Sequence, residues 1–239
     1  HAMPATIYVT TYYVVNPGPV LNILLRYIFD QCDFDEELLS EIENDALLKG
    51  LVSLISSGKA SEAADKTWCI IRELDTERER SAEVYRLAKL LKVDIDEAVD
   101  GRWFDLMTKE ELVRAQERGF DIQLHTHRHI LKGLTPESLR KEINDNLHCL
   151  EHVIPDAREK AWHFCYPGGL YKRNMIPILK ELGIISATTT KEGLNQNSSG
   201  LFELSRISDG EDLTDLEFEA KICGFEYLLK KFLRQMKFV

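Results

Sequence analysis

The part of the chain after Thr108 alternates between strand-like and helix-like segments, and this alternation constrains the fold more than any other feature. Strand-like segments rich in apolar and β-branched residues cover residues 121–127, 162–166 and 184–189. Helical segments lie between them, and Thr108 and Thr135 are typical helix caps. Strands separated by helices, in units of about 20 to 40 residues, are typical of parallel strands joined by crossover helices. The sequence therefore predicts an α/β fold.

The chain starts with a further strand, Ala5–Thr10, and then changes character. From residue 20 to about residue 100 the apolar residues recur every three or four positions, which predicts helices. This stretch holds no motif to which chemistry can be attached. We predict one domain over residues 1–239, with residues 20–100 as a helical insertion within it. Thr214 and Glu217 form a capping box that starts a final amphipathic helix.

Composition and charge narrow the class of protein. The 239 residues are 44% hydrophobic and 29% charged, which is ordinary for a soluble globular protein. The formal net charge of −10 argues against nucleic acid or an anionic membrane as the default partner, and no apolar run has the length of a membrane span. The five cysteines are widely spaced, odd in number and lack a CxxC pair, so we predict reduced thiols in a cytoplasmic protein.

Three of the seven histidines, His125, His127 and His129, lie at the end of one predicted strand. In an α/β fold the carboxyl ends of the strands carry the chemistry. Residues four apart lie about 13 Å apart in a strand but about 6 Å apart in a helical turn. His125 and His129 can therefore share a metal ion only if the chain turns after His125, whereas a continuing strand would favour His125 and His127.

A catalytic zinc site needs more than two imidazoles, because it normally has three protein ligands and a water molecule. Asp121 lies four residues before His125 on an extended strand, which is too far for both to bind one ion. Asp209 or Glu211 could approach from another strand end. The sequence thus indicates two candidate ligands and leaves the third open.

The segments PATIYVTT, QLHTHRH, HFCYPGGLY and SATTT…GLN, in this order, resemble the polysaccharide deacetylase superfamily (carbohydrate esterase family four) over essentially the whole chain after residue 3. The resemblance implies an incomplete or distorted (β/α) barrel with a helical insertion. The insertion and the FCYPGG variant suggest a subgroup of bacterial deacetylase-like proteins. The resemblance also implies that His125 and His129 bind a divalent metal ion, most simply zinc. The third motif would line the substrate groove with Tyr166, Pro167, Gly168 and Gly169. The groups around the ion would be oriented by His127, Arg128 and His163.

The chain departs from the family pattern at three places. Cys165 stands where the third motif usually carries an arginine, and residues 204–209 hold no clear match to the histidine that serves as general acid. The family's first motif supplies two aspartates, one a metal ligand and one the catalytic base, from a strand that precedes the Ala5–Thr10 segment. We therefore expect an impaired site with no assigned catalytic residue. We also expect either that the free edge of Ala5–Thr10 is covered by another copy of the chain or that the sheet has rearranged.

The resemblance implies hydrolysis of N-acetyl or O-acetyl groups on the sugars of a polysaccharide, with a carbohydrate as the partner and no nucleic acid. One alternative is a non-catalytic carbohydrate-binding or scaffold domain that uses the same groove. Another is a different amidohydrolase of the same fold, acting on a small C–N bond.

Overall fold

The structure is a computed structural model that describes residues 3–131, 133–197, 199–210 and 212–236. It divides into two compact units: residues 16–106 form one, and the residues up to Val15 together with those from Met107 onward form the other. The helical unit covers almost the same residues as the predicted insertion. That this unit is an insertion within a single deacetylase domain stays a prediction.

The second unit contains a sheet of five parallel strands in the order β1-β2-β3-β4-β5. The strands are β1 (Thr6–Val9), β2 (Asp121–Leu124), β3 (His163–Cys165), β4 (Ser186–Glu192) and β5 (Leu204–Arg206). The α/β class is thereby confirmed. Strands that follow one another in space as in sequence, with no reversal, are typical of a (β/α) barrel, and the described strands form an incomplete one. β1 lies at one edge of the sheet, and its pairing with another copy stays a prediction.

The two faces of this sheet differ in chemistry. Residues in register across the strands share a face, and one face carries buried apolar side chains, namely Val9, Ile122, Leu124, Phe164 and Ala187. These side chains belong to the apolar core of the unit, which also includes Ile143 and Leu147 from a covering helix. Because successive residues of a strand point to opposite faces, the other face carries Cys165 and the polar residues Tyr8, Gln123, His163 and Thr188. The sheet thus presents polar groups along the face opposite its core.

The helices follow the sequence signals closely. Around the sheet they are α1 (Thr11–Val15), α8 (Lys109–Glu117), α9 (Pro136–Glu151), α10 (Ala157–Lys160), α11 (Ile176–Glu181), α12 (Asp215–Ile222) and α13 (Phe225–Met236). The predicted capping box of α8 is confirmed, because Thr108 Oγ1 accepts from the Glu111 amide at 3.2 Å and Glu111 Oε2 accepts from the Thr108 amide at 2.7 Å. Thr214 and Glu217 form the same box at α12.

The predicted final helix is divided in two. α12 ends at Ile222 and α13 begins at Phe225, with Gly224 between them at φ +79°. A left-handed glycine is a common helix stop, since it lacks the Cβ that would clash there. β5 and α10 were not predicted, because three or four residues are too few to show a hydrophobic period.

The helical unit contains α2 (Leu21–Gln31), α3 (Glu36–Ile42), α4 (Val52–Ser56), α5 (Ala60–Ile71), α6 (Glu77–Leu90) and α7 (Asp96–Asp100). Its core is built from the apolar residues that recur at helical spacing. Leu24, Leu25 and Ile28 of α2 are fully buried, and they belong to the same core as Val84 and Leu87 of α6. The prediction of helices over residues 20–100 is confirmed.

Within the described part of the chain, no helix combines the length and the apolar character that a membrane crossing requires.

Candidate functional site

The loop that follows β2 brings His125 and His129 together. Their ring centroids lie 4.8 Å apart, with an angle of 65° between the ring planes. The chain leaves the extended conformation directly after His125, because Thr126 and His129 have φ values of +63° and +61°. Of the two pairs that the sequence left open, the structure therefore forms His125 with His129.

His125 is held in a defined orientation by the next strand. Its Nδ1 lies 2.7 Å from the carbonyl oxygen of Cys165 at the end of β3. A carbonyl oxygen only accepts hydrogen bonds, so Nδ1 carries the proton and donates, and the lone pair of Nε2 is available for a ligand. Metal-binding histidines are commonly fixed in this way through their second nitrogen.

Burial keeps both imidazoles uncharged. Loss of hydration lowers the pKa of His125 to about 4, although its hydrogen bond to Cys165 acts in the opposite direction. Burial also lowers the pKa of His129. The neutral imidazole is the form that binds metal ions, so no proton has to be displaced from this pair near pH 7.

Asn146 of α9 fixes the backbone beneath His125. The side chain is fully buried, and its Oδ1 accepts the amide proton of His125 at 3.0 Å. Its Nδ2 donates to the carbonyl oxygen of Val9 at 3.0 Å and to Thr11 Oγ1 at 2.9 Å. One amide group thereby joins the end of β1, the start of α1 and the histidine loop.

Glu142, one helical turn before Asn146, holds the next part of the same loop. Its carboxylate is buried and accepts the amide proton of Arg128 at 2.9 Å. The same carboxylate forms a salt bridge with the guanidinium of Arg128. Its backbone carbonyl accepts the amide proton of His127 at 3.2 Å. α9 therefore supports the loop from His125 to Arg128 through two residues four positions apart.

Three residues were predicted to orient groups around the ion, and each of them contacts other parts of the protein. His127 is buried with Nδ1 2.9 Å from Thr11 Oγ1 and an edge-on contact to Tyr12, so it stabilises the loop from behind. Arg128 is engaged by Glu142. His163 lies at the amino end of β3 and bonds Ser186 Oγ through Nδ1. The structure does not bring His163 to the histidine pair, because the pair follows the carboxyl end of β2.

The Tyr166–Gly169 segment follows β3 as predicted, but its residues differ in exposure. Tyr166 is 1% exposed, donates its hydroxyl proton to the Phe202 carbonyl at 3.1 Å, and has a pKa raised by burial. Tyr166 and Pro167 are thus buried residues that support the loop, and their role in the substrate groove stays a prediction. Gly168 and Gly169, with φ values of +59° and +67°, keep accessible surface.

Of the candidate metal ligands in the described residues, the structure brings only His125 and His129 together. Among the described residues, no group of three His, Cys, Asp or Glu side chains is placed to hold an ion. Asp121 lies at the amino end of β2, where it bonds Thr6 and Gln123. Asp209 belongs to no such group, and Glu211 lies outside the described residues. The third ligand therefore stays open.

Sequence reasoning missed three residues that act on this site. Glu142 and Asn146 are buried polar residues on the otherwise apolar face of α9. Two polar residues four positions apart within such a face are the sequence pattern that could have indicated their role. Arg206 of β5 donates from Nε to the Thr189 carbonyl at 2.8 Å. The pKa of His125 is lowered mainly by burial, to a smaller extent by the neighbouring His129, and also by the charge of Arg206. Nothing in the sequence around Arg206 indicated this role.

The family model for polysaccharide deacetylase matches residues 65–187. No curated protein matches the chain.

Three similar solved structures have identities of 15–21% and TM-scores of 0.44–0.45. The polysaccharide deacetylase BC0361 from Bacillus cereus has 21% identity and a TM-score of 0.44, over 49% of this chain and only 37% of its own length. The deacetylase PplD from Streptococcus pyogenes, in complex with acetate, has 16% identity and a TM-score of 0.45, with 92% and 95% covered. The putative polysaccharide deacetylase BA0330 from Bacillus anthracis has 15% identity and a TM-score of 0.44, with 84% and 60% covered. Because the family model matches more than half of the chain, this protein belongs to the polysaccharide deacetylase family.

Proposed function

We propose that this chain is a metal-dependent hydrolase domain that removes acetyl groups from N-acetylated or O-acetylated sugars of a polysaccharide. His125 and His129 would bind the divalent ion, most simply zinc. The observation that carries the proposal is the pairing of these two neutral, oriented imidazoles at the carboxyl end of β2. Family membership supports the substrate class.

The residues of the site would act mainly by holding groups in place. A bound divalent ion would supply polarisation of the acyl oxygen and a lower pKa for water. His125 would keep its orientation through the Cys165 carbonyl. The amides of Tyr166 and Gly169 donate within the protein, to Thr188 and Tyr166 respectively. These two amides are therefore not available to a developing oxyanion, and the groove loop would contribute shape and access for a sugar.

The same site lacks a carboxylate beside the histidine pair in the described residues. Hydrolysis by this class of site needs a base to take a proton from water, and the ion needs a further protein ligand. We therefore propose that a chain of residues 1–239 hydrolyses such a substrate only slowly.

Release of acetate from an oligomer of N-acetylglucosamine tests this proposal. We expect slow release that requires added zinc and disappears in His125→Ala. The matched control is His148→Ala, which changes an exposed histidine of α9 and should leave the rate unchanged. Release that continues in the presence of a chelator, or in His125→Ala, would contradict the proposal.

The alternative is a non-catalytic carbohydrate-binding domain, and the missing third metal-binding group among the described residues favours it. This alternative predicts that the oligosaccharide binds equally well with and without zinc, and that no acetate is released. Loss of oligosaccharide binding on chelation would argue against it.

A further inference from the structure

Helix α13 exposes an apolar stripe. Phe225, Leu228, Leu229 and Phe232 lie at positions i, i+3, i+4 and i+7, which places them on one side of the helix. Their exposed fractions are 59%, 62%, 44% and 59%. The apolar face of α9 shows the usual outcome for such a pattern, since Leu139, Ile143 and Leu150 are almost fully buried. An exposed stripe of this kind marks an interaction surface.

The sequence of this segment also differs in charge from the rest of the chain. Residues 225–239 contain four basic residues and one acidic residue, Glu226, while the whole chain has a formal net charge of −10. The segment therefore carries a local positive charge in an acidic protein. A helix with an exposed apolar face and a basic sequence is typical of attachment to an anionic lipid surface.

We propose that α13 lies on an anionic lipid surface, with the stripe of Phe225, Leu228, Leu229 and Phe232 inserted among the lipids. Its 12 residues span about 18 Å, which is shorter than the roughly 30 Å hydrocarbon core of a bilayer. The helix therefore lies along the surface and does not cross it. The attachment is independent of the histidine site and would hold the domain beside a membrane.

Charge favours lipid over a second α13 helix as the occupant of the stripe. Pairing of α13 with α13 would bury the same apolar side chains, but it would bring two positively charged segments together. An anionic lipid surface satisfies both the apolar stripe and the charge.

Co-sedimentation of the full chain with lipid vesicles tests this inference. One vesicle type contains phosphatidylcholine with phosphatidylglycerol, and the other contains phosphatidylcholine alone. We expect binding to the anionic vesicles that weakens with salt. The double substitution Leu228→Ser/Phe232→Ser should reduce it at least about tenfold, because two large apolar side chains no longer leave water.

The matched control is Leu201→Ser, because Leu201 lies outside α13 and its exposed fraction of 62% equals that of Leu228. This variant should bind the vesicles like the unchanged chain. Because all the substituted side chains are exposed, we expect each variant to keep its thermal unfolding temperature. Equal binding by the α13 variant and the control would overturn the inference. So would a dimer that depends on Leu228 and Phe232 in a chain that does not bind vesicles.

Discussion

Replacing Asn146 with alanine is expected to lower the free energy of unfolding by about 3 kcal/mol, because buried polar groups lose their partners and a small cavity is left. The amide of His125 would lose its acceptor, and the carbonyl of Val9 would lose its donor. The hydroxyl of Thr11 would lose the hydrogen bond from the Asn146 amide. Since the side chain is fully buried, water cannot readily replace these bonds.

Urea unfolding of Asn146→Ala beside Asn144→Ala measures this effect. Asn144 is the same residue type on the same helix, two positions away, and it is exposed. Its substitution should change the free energy of unfolding by no more than about 0.5 kcal/mol. Similar losses in the two variants would show that Asn146 does not hold the histidine loop.

Gly169→Ala is expected to destabilise the protein by about 3 kcal/mol, as the sum of backbone strain and overpacking. A Cβ on Gly169 would lie 2.0 Å from Thr190 Oγ1 and 2.7 Å from Thr190 Cβ, and φ is +67°. Thr190 cannot avoid this contact by rotating its side chain, because its Cβ is fixed to the backbone of β4. The close approach of the groove loop to β4 thus requires glycine.

Gly168→Ala is the matched control. Thermal or urea unfolding of both variants separates the effect of backbone strain from that of overpacking. Gly168 has a similar φ of +59°, but the nearest atom to its Cβ would be Leu170 Cγ at 4.0 Å. This substitution introduces backbone strain without a clash, so we expect a loss of about 1–2 kcal/mol. If Gly169→Ala were no worse than Gly168→Ala, the contact with Thr190 would not constrain the loop.

Local signals in the sequence were sufficient for most elements of the fold. The caps at Thr108, Thr135 and Thr214 predicted where α8, α9 and α12 begin, because each threonine side chain bonds an otherwise free amide. The apolar runs predicted β2, β3 and β4. β5 escaped prediction because it has three residues, none of them buried.

The candidate site was only partly predictable, since its geometry depends on tertiary contacts. The spacing of the histidines left two pairs open, and the choice depends on left-handed φ values at Thr126 and His129. Such values are rare for residues other than glycine, and least expected for a β-branched residue such as threonine. The hydrogen bond from the His125 amide to Asn146 joins residues 21 positions apart, so no local pattern predicted it.

Zinc binding to the chain, measured by calorimetry, tests the central claim that His125 and His129 form a metal-binding pair. A second pair of exposed histidines, His148 of α9 and His152 directly after it, has ring centroids 4.3 Å apart and is a competing zinc site. We predict weak binding whose affinity falls at least about tenfold in His125→Ala/His129→Ala. Even the loss of a residue that only hydrogen-bonds to a metal ligand commonly lowers metal affinity by that much. The double variant His148→Ala/His152→Ala should retain this binding. Zinc binding that survives in the first variant and disappears in the second would contradict the account.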